Sequence, residues 1–129
     1  MADNGKKKVL IVDDEPDIVT FLSVLLEDNG FSVATASTGL EAMSRIRAER
    51  PDLITLDITM PEQSGVRTYR EIKSDPALAG IPVIIVTGVA DEFQKFLSTR
   101  KQVPPPEGYV SKPIEAEALI ALARRLVGA

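Results

Sequence analysis

Short aliphatic, β-branched runs alternate with helix-period segments along the whole chain, and this alternation constrains the fold more than any other feature. Val9-Leu10-Ile11-Val12 is an unbroken apolar run, the pattern of a strand buried on both faces of a parallel sheet. Pro16 suits the first turn of a helix, where its missing N–H would have no intrahelical partner. Ile18, Phe21, Leu22, Leu25 and Leu26 then recur at helical spacing until Asn29-Gly30 supplies a stop. Phe31 to Ala36 reads as a second strand, and Leu40, Met43 and Ile46 mark a second helix. That helix must end before Pro51, because proline pushes the preceding residue out of the helical region.

Leu53-Ile54-Thr55-Leu56-Asp57 forms the third predicted strand, followed by a loop running from Met60-Pro61 to Gly65. Val66, Tyr69 and Ile72 give a third helix its apolar stripe. Pro82 allows only the start of a strand, whose body is Val83-Ile84-Ile85-Val86. A short fifth strand at Tyr109-Val110 leads into a last helix with Leu119, Leu122 and Leu126 on one face. Strands alternating with helices at this spacing predict an α/β, (βα)5 fold: a doubly wound, five-stranded parallel sheet covered on both sides. No linker, repeat or second domain is visible. Residues 1–7 are expected to form a flexible tail and residues 8–129 one domain.

Composition removes whole classes of chemistry. The 129 residues contain no histidine and no cysteine. Serine-type triads, imidazole zinc sites, thiol catalysis and an autophosphorylating histidine on this chain are therefore excluded. A net charge of −4 and a pI near 4.9 argue against nucleic acid as a direct partner, and Lys6 to Lys8 read as a solvated tail. No apolar run approaches the roughly 20 residues that span a bilayer, and the first residues do not form a signal peptide. No membrane association is expected, and the cytoplasm is the expected compartment.

In open parallel sheets, ligands bind beyond the carboxyl ends of the strands. The first predicted strand ends there in Asp13-Asp14-Glu15, the third in Asp57 and the fourth in Thr87; Lys112 follows the fifth, and the second ends in Ala36-Ser37-Thr38. Each has an ordinary alternative. Asp13-Asp14-Glu15-Pro16 could be no more than a helix cap with first-turn acids, and Asp57 a turn-capping residue. Thr87 could cap the next helix, and Lys112 could be a surface lysine. It is the convergence of separate segments on one sheet edge that favours a site. Carboxylates at 13, 14 and 57, if brought together, repel one another, and a hard divalent cation such as Mg²⁺ removes that penalty while recruiting phosphate. A carboxylate can then act as nucleophile towards phosphorus, with a lysine and a hydroxyl stabilising charge on the transferring oxygens.

Val9-Leu10-Ile11-Val12-Asp13-Asp14-Glu15-Pro16, Leu56-Asp57-Ile58-Thr59-Met60-Pro61 with Gly65, Val86-Thr87-Gly88 and Tyr109-Val110-Ser111-Lys112-Pro113 together resemble the receiver domain of two-component response regulators, of the chemotaxis-regulator-like kind. The resemblance covers essentially the whole chain in the right order. It implies a flavodoxin-like sheet of strand order 2-1-3-4-5, with Asp57 as phospho-acceptor and Asp13, Asp14, Asp57 and the backbone carbonyl of Thr59 around Mg²⁺. It further implies that Lys112 pairs with Asp57 and then with the phosphoryl oxygens, across a cis Lys112-Pro113 bond. Thr87 would swing to the phosphoryl group, Tyr109 would change rotamer with it, and Gly88 would leave the donor room. The implied donor is a phosphohistidine on a histidine kinase or histidine phosphotransfer protein, which fits a chain without histidine. Small donors such as acetyl phosphate would also serve. Such a domain catalyses its own phosphorylation and dephosphorylation without being a conventional turnover enzyme. It signals through the face of its fourth helix, fifth strand and fifth helix, as a monomer or a weak phosphorylation-dependent dimer, either alone or as part of a longer regulator.

One stretch departs from the family. Asp91 to Gln102 carries only Phe93, Phe96 and Leu97 as apolar anchors before Val103-Pro104-Pro105-Pro106-Glu107-Gly108, so a short fourth helix and a long connection are expected. Val89 offers no hydrogen bond to a hydrolytic water, which suggests a persistent phosphorylated state. Competing functions fit less well. A haloacid-dehalogenase-type hydrolase wants a second acid where Thr59 stands, and an FMN module wants a hydroxyl- and glycine-rich first loop where Asp13-Asp14-Glu15 would repel phosphate. A receiver-shaped module that is never phosphorylated would be expected to lack one of the acids or Lys112.

Overall fold

The computed structural model describes residues 6–58, 64–87, 107–111 and 113–128. In chain order these form β1 (Lys8–Val12), α1 (Pro16–Asp28), β2 (Ser32–Ala36), α2 (Gly39–Ala48), β3 (Leu53–Leu56), α3 (Ser64–Ser74), β4 (Val83–Thr87), β5 (Gly108–Ser111) and α4 (Ala116–Val127). Helix α4 is the last of the five predicted from sequence; the predicted helix within 91–102 and the prolines at 104–106 lie outside the described residues. All strand pairings are parallel, in the order β2-β1-β3-β4-β5. The chain thus builds outwards from β1 in one direction and then, through β3, in the other. The crevice where that direction reverses lies between the carboxyl ends of β1 and β3, the place where such sheets bind ligands.

Alternation along the strands explains the two-sided core. Leu10, Val12, Ile54, Leu56, Val83 and Ile85 join a cluster with α2 and α3 on one face. Val9, Ile11, Leu53, Ile84 and Val86 join α1 and α4 on the other. Both faces are covered, so the strands read as continuous apolar runs. Thr55 is the exception in β3: its hydroxyl is buried with no hydrogen-bond partner among the described residues.

Helix boundaries follow local chemistry. Pro16 begins α1, and Gly30 turns the chain after it at φ 91°, a conformation open to glycine at little cost. Thr38 caps α2 by accepting from the Glu41 N–H at 3.0 Å, while the Glu41 carboxylate accepts the Ser37 N–H at 2.8 Å, a variant of the capping box that reaches one residue beyond the cap. Two expected core positions are corrected. Leu40 is 85% exposed, because the stripe that α2 buries is Gly39, Ala42, Met43 and Ile46, and Leu40 stands about a quarter-turn off it. Phe21 is 42% exposed, since α1 seats Leu22 and Leu26 instead.

Tyr69 of α3 is fully buried. Burial, followed by the nearby Glu107 carboxylate and Tyr109, holds its phenol well above the ordinary tyrosine value of 10.0. The neutral form is therefore favoured in the folded chain. The stability this contributes is complete below pH 10 and is lost as the pH rises above it, because the unfolded chain releases the proton first. Urea midpoints between about pH 8 and pH 11 are expected to fall more steeply for the wild type than for Tyr69→Phe; parallel curves would contradict this.

Candidate functional site

Two acidic residues extend the sheet by one residue each at its carboxyl edge. Asp13 follows β1 and donates its N–H to the Ala36 carbonyl of β2 at 3.1 Å; Asp57 follows β3 and donates to the Val12 carbonyl at 3.0 Å. The ladder fixes both backbones, so their side chains leave rigid strand ends rather than mobile loops. Asp13 is 2% exposed and Asp57 1% exposed, whereas Asp14 is exposed. One oxygen from each of the three carboxylates lies within 4.8 Å of the others. Asp13 also accepts the Glu15 N–H at 2.9 Å, a local turn that aims the chain into α1. The position capping α1 is Glu15, which makes no side-chain cap hydrogen bond. Capping thus does not account for Asp14, nor for the burial of Asp57.

Gly65, the second residue of α3, brings that helix against the β3 exit. A β-carbon there would lie 2.2 Å from the Asp57 carbonyl oxygen and 2.5 Å from the Ile58 Cα. These are backbone atoms, which cannot swing aside as a side chain can. Glycine at 65 therefore allows the approach that seats α3 directly against the backbone of the buried acid.

Two further predicted positions can be placed. Thr87 closes β4 on the same sheet edge, in register with Ser111 of β5. Tyr109 lies in β5 opposite Ile85, packs against the cluster on the α2 and α3 side, and has its phenol pushed up by burial. Thr59, Gly88, Val89 and Lys112 lie outside the described residues. Ser37 and Thr38, at the end of β2, are used by the α2 capping box. Sequence reasoning missed one group entirely: Lys73, a buried lysine paired with Glu107 at 3.0 Å. Lysine on a helix is so ordinary that only an apolar stripe continuing through Tyr69, Ile72 and Lys73 could have flagged it.

The donor set suits a hard divalent cation. Among the described residues it consists of carboxylate oxygens, two of them in the buried residues Asp13 and Asp57 and one in the exposed Asp14, the ligand type that Mg²⁺ prefers. No helix among the described residues is long and apolar enough to cross a membrane.

Known proteins share this architecture. The model of the response regulator receiver domain matches residues 9–124. The chain is 33% identical over 121 residues to the alkaline phosphatase synthesis transcriptional regulatory protein PhoP of Bacillus subtilis, covering 94% of this chain and 48% of that protein. It is 34% identical over 113 residues to Protein PilH of Pseudomonas aeruginosa, covering 88% of this chain and 91% of that one. The signal receiver domain of a signal transduction histidine kinase from Syntrophus aciditrophicus superposes with a TM-score of 0.83 at 31% identity, covering 95% of this chain and 90% of that one. The chain spans about half the length of the transcriptional regulators it matches, such as PhoP at 48%.

Proposed function

Because the chain belongs to the response regulator receiver domain family, we propose that Asp57 accepts a phosphoryl group from a partner phosphohistidine and that the resulting change is read at β5 and the helices beside it. The observation that carries this reading is the convergence of Asp13, Asp14 and Asp57 within 4.8 Å at the switch point of the sheet. An Asp57 carboxylate oxygen attacks phosphorus, the P–N bond to the donor imidazole breaks, and the imidazole leaves with the electron pair and takes up a proton. Water later attacks the phosphorus of the acyl phosphate, the P–O bond to Asp57 breaks, and inorganic phosphate leaves as the carboxylate is restored. Asp13, Asp14, Asp57 and the Thr59 carbonyl would hold Mg²⁺, which would supply charge neutralisation for the acids and the phosphoryl oxygens.

The chain's own groups do the rest. The strand ends hold Asp57 in place for attack, so little reorganisation is needed. Lys112 offers its ammonium to the phosphoryl oxygens, and Thr87 donates a hydroxyl hydrogen bond to them. Tyr109 follows Thr87 and alters the outer face of β5. The donor in this reading is a histidine kinase or phosphotransfer protein and the downstream target a protein, in a cytoplasmic setting; the net charge of −4 speaks against direct contact of this domain with nucleic acid. The domain spans residues 8–129, after a tail at 1–7.

Incubation with acetyl phosphate and Mg²⁺, followed by intact mass measurement, is expected to show one added phosphoryl group that does not form when the metal is chelated beforehand. No adduct, together with no change of β5 resonances on adding beryllofluoride, would favour an unphosphorylated interaction module.

A further inference from the structure

At the end of the sheet away from the acidic cluster, one buried ammonium joins three parts of the chain. Lys73, on the last turn of α3, has a side chain only 2% exposed. Its Nζ donates to the Ala79 carbonyl at 3.2 Å, to the Ile81 carbonyl at 3.1 Å, and to both Glu107 oxygens at 3.0 Å. Glu107 in turn accepts the Val83 N–H at 2.8 Å and gives its own N–H to the Val83 carbonyl at 3.1 Å. The start of β4 is thus gripped by the backbone and the side chain of the residue that precedes β5.

We propose that Lys73 and Glu107 form a clasp, buried at its lysine end, that sets the register of β5 and with it the position of Tyr109. The inference rests on the receiver reading for its functional consequence, but its structural core stands apart. Strand β5 has four residues and lies at the sheet edge, so its register is held by one neighbouring strand and few ladder hydrogen bonds. Residues 104–106 are prolines, without an N–H to donate to a ladder. The Glu107 N–H is therefore the first main-chain donor available after three residues that have none. A one-residue slip would carry Tyr109 to the opposite face and withdraw the carboxylate from both Val83 and Lys73. The lysine cannot follow such a slip, because α3 is seated in the core by Tyr69 and Ile72, both fully buried, and Nζ is tied to the turn after it. Burial first, and then the nearby Glu107 charge, raises the proton affinity of Tyr69, in keeping with a carboxylate that sits close to the α3 side of the core.

Amide hydrogen exchange on the full chain tests the clasp. In Glu107→Ala, exchange at Tyr109 and Ser111, whose N–H groups face β4 in the same phase as that of Glu107, is expected to rise at least about tenfold while Ile11 and Ile54 in β1 and β3 stay protected. Glu107→Gln, which keeps an oxygen for the Val83 N–H, should show a smaller rise. If Glu107→Ala does not fold, Lys73→Met with Glu107→Gln removes both charges at similar volume and should still expose β5 selectively. Phosphorylation by acetyl phosphate should slow in the Glu107 variants while the Mg²⁺ concentration at half-effect stays unchanged, a split that general destabilisation would not produce. Unchanged β5 protection in these variants, or equal loss in all strands, overturns the clasp. A wild type that takes no phosphoryl group refutes the receiver chemistry instead, and the exchange data still decide the clasp.

Discussion

With Mg²⁺ chelated, Asp57→Asn is expected to be more stable than the wild type, and excess Mg²⁺ should close or reverse the difference. Three carboxylates with oxygens within 4.8 Å of one another repel, and burial of Asp13 and Asp57 to 2% and 1% exposure limits screening by water and salt. The single lysine proposed for the site leaves an excess of negative charge. Neutralising one carboxylate should therefore stabilise the metal-free chain by about 1–3 kcal/mol. A cation that binds the folded chain and not the unfolded one adds about 2.7 kcal/mol at one hundred times its Kd, or about 10 °C in Tm for a domain of this size. The amide in the variant keeps one oxygen and no charge, so its gain from Mg²⁺ should be much smaller. Thermal unfolding in chelator and across a Mg²⁺ titration measures all four corners. An Asp57→Asn chain less stable than wild type in chelator would mean that fixed protein groups, rather than a mobile cation, compensate the acids. The same variant should take no phosphoryl group from acetyl phosphate, since an amide oxygen is too weak a nucleophile towards phosphorus.

Gly65→Ala should cost about 3 kcal/mol or more, with much of the Mg²⁺ response lost as well. The added carbon would sit 2.2 Å from the Asp57 carbonyl oxygen, so either α3 moves outwards or the backbone bearing Asp57 moves. Gly30→Ala supplies the control. Its φ of 91° strains a side chain, but nothing lies within 4 Å of the added carbon, and the expected cost is about 1 kcal/mol with the Mg²⁺ response intact. Urea unfolding with and without Mg²⁺ separates the two. Equal costs for the two substitutions would show that α3 can yield without disturbing the site.

Much of this molecule is legible residue by residue. The runs at 9–12, 53–56 and 83–86 are strands because they are short and aliphatic, broken only by the β-branched Thr55, and these properties survive any packing arrangement. Asp13, Asp14 and Asp57 could be picked out because strand ends in parallel sheets are where ligands bind, a rule that needs only the order of elements. Periodicity alone was less reliable for Leu40 and Phe21. Apolar character marks a residue as suitable for the core, but the neighbouring helices and strands decide which part of the stripe is covered.

What the sequence by itself determined is the order of elements, the two-sided burial of the sheet and the identity of the acids at its carboxyl edge. Each follows from interactions within a few residues or from the fixed handedness of parallel crossovers. The tertiary structure alone decided which polar residues do what there. Thr38 and Ser37 serve a helix cap, while Asp13 and Asp57, separated by 44 positions in the sequence, share a crevice. It alone paired Lys73 with Glu107 across 34 residues. The strength of a charge pair depends on distance and dielectric, and both are set by the packing of segments that the chain brings together only when folded.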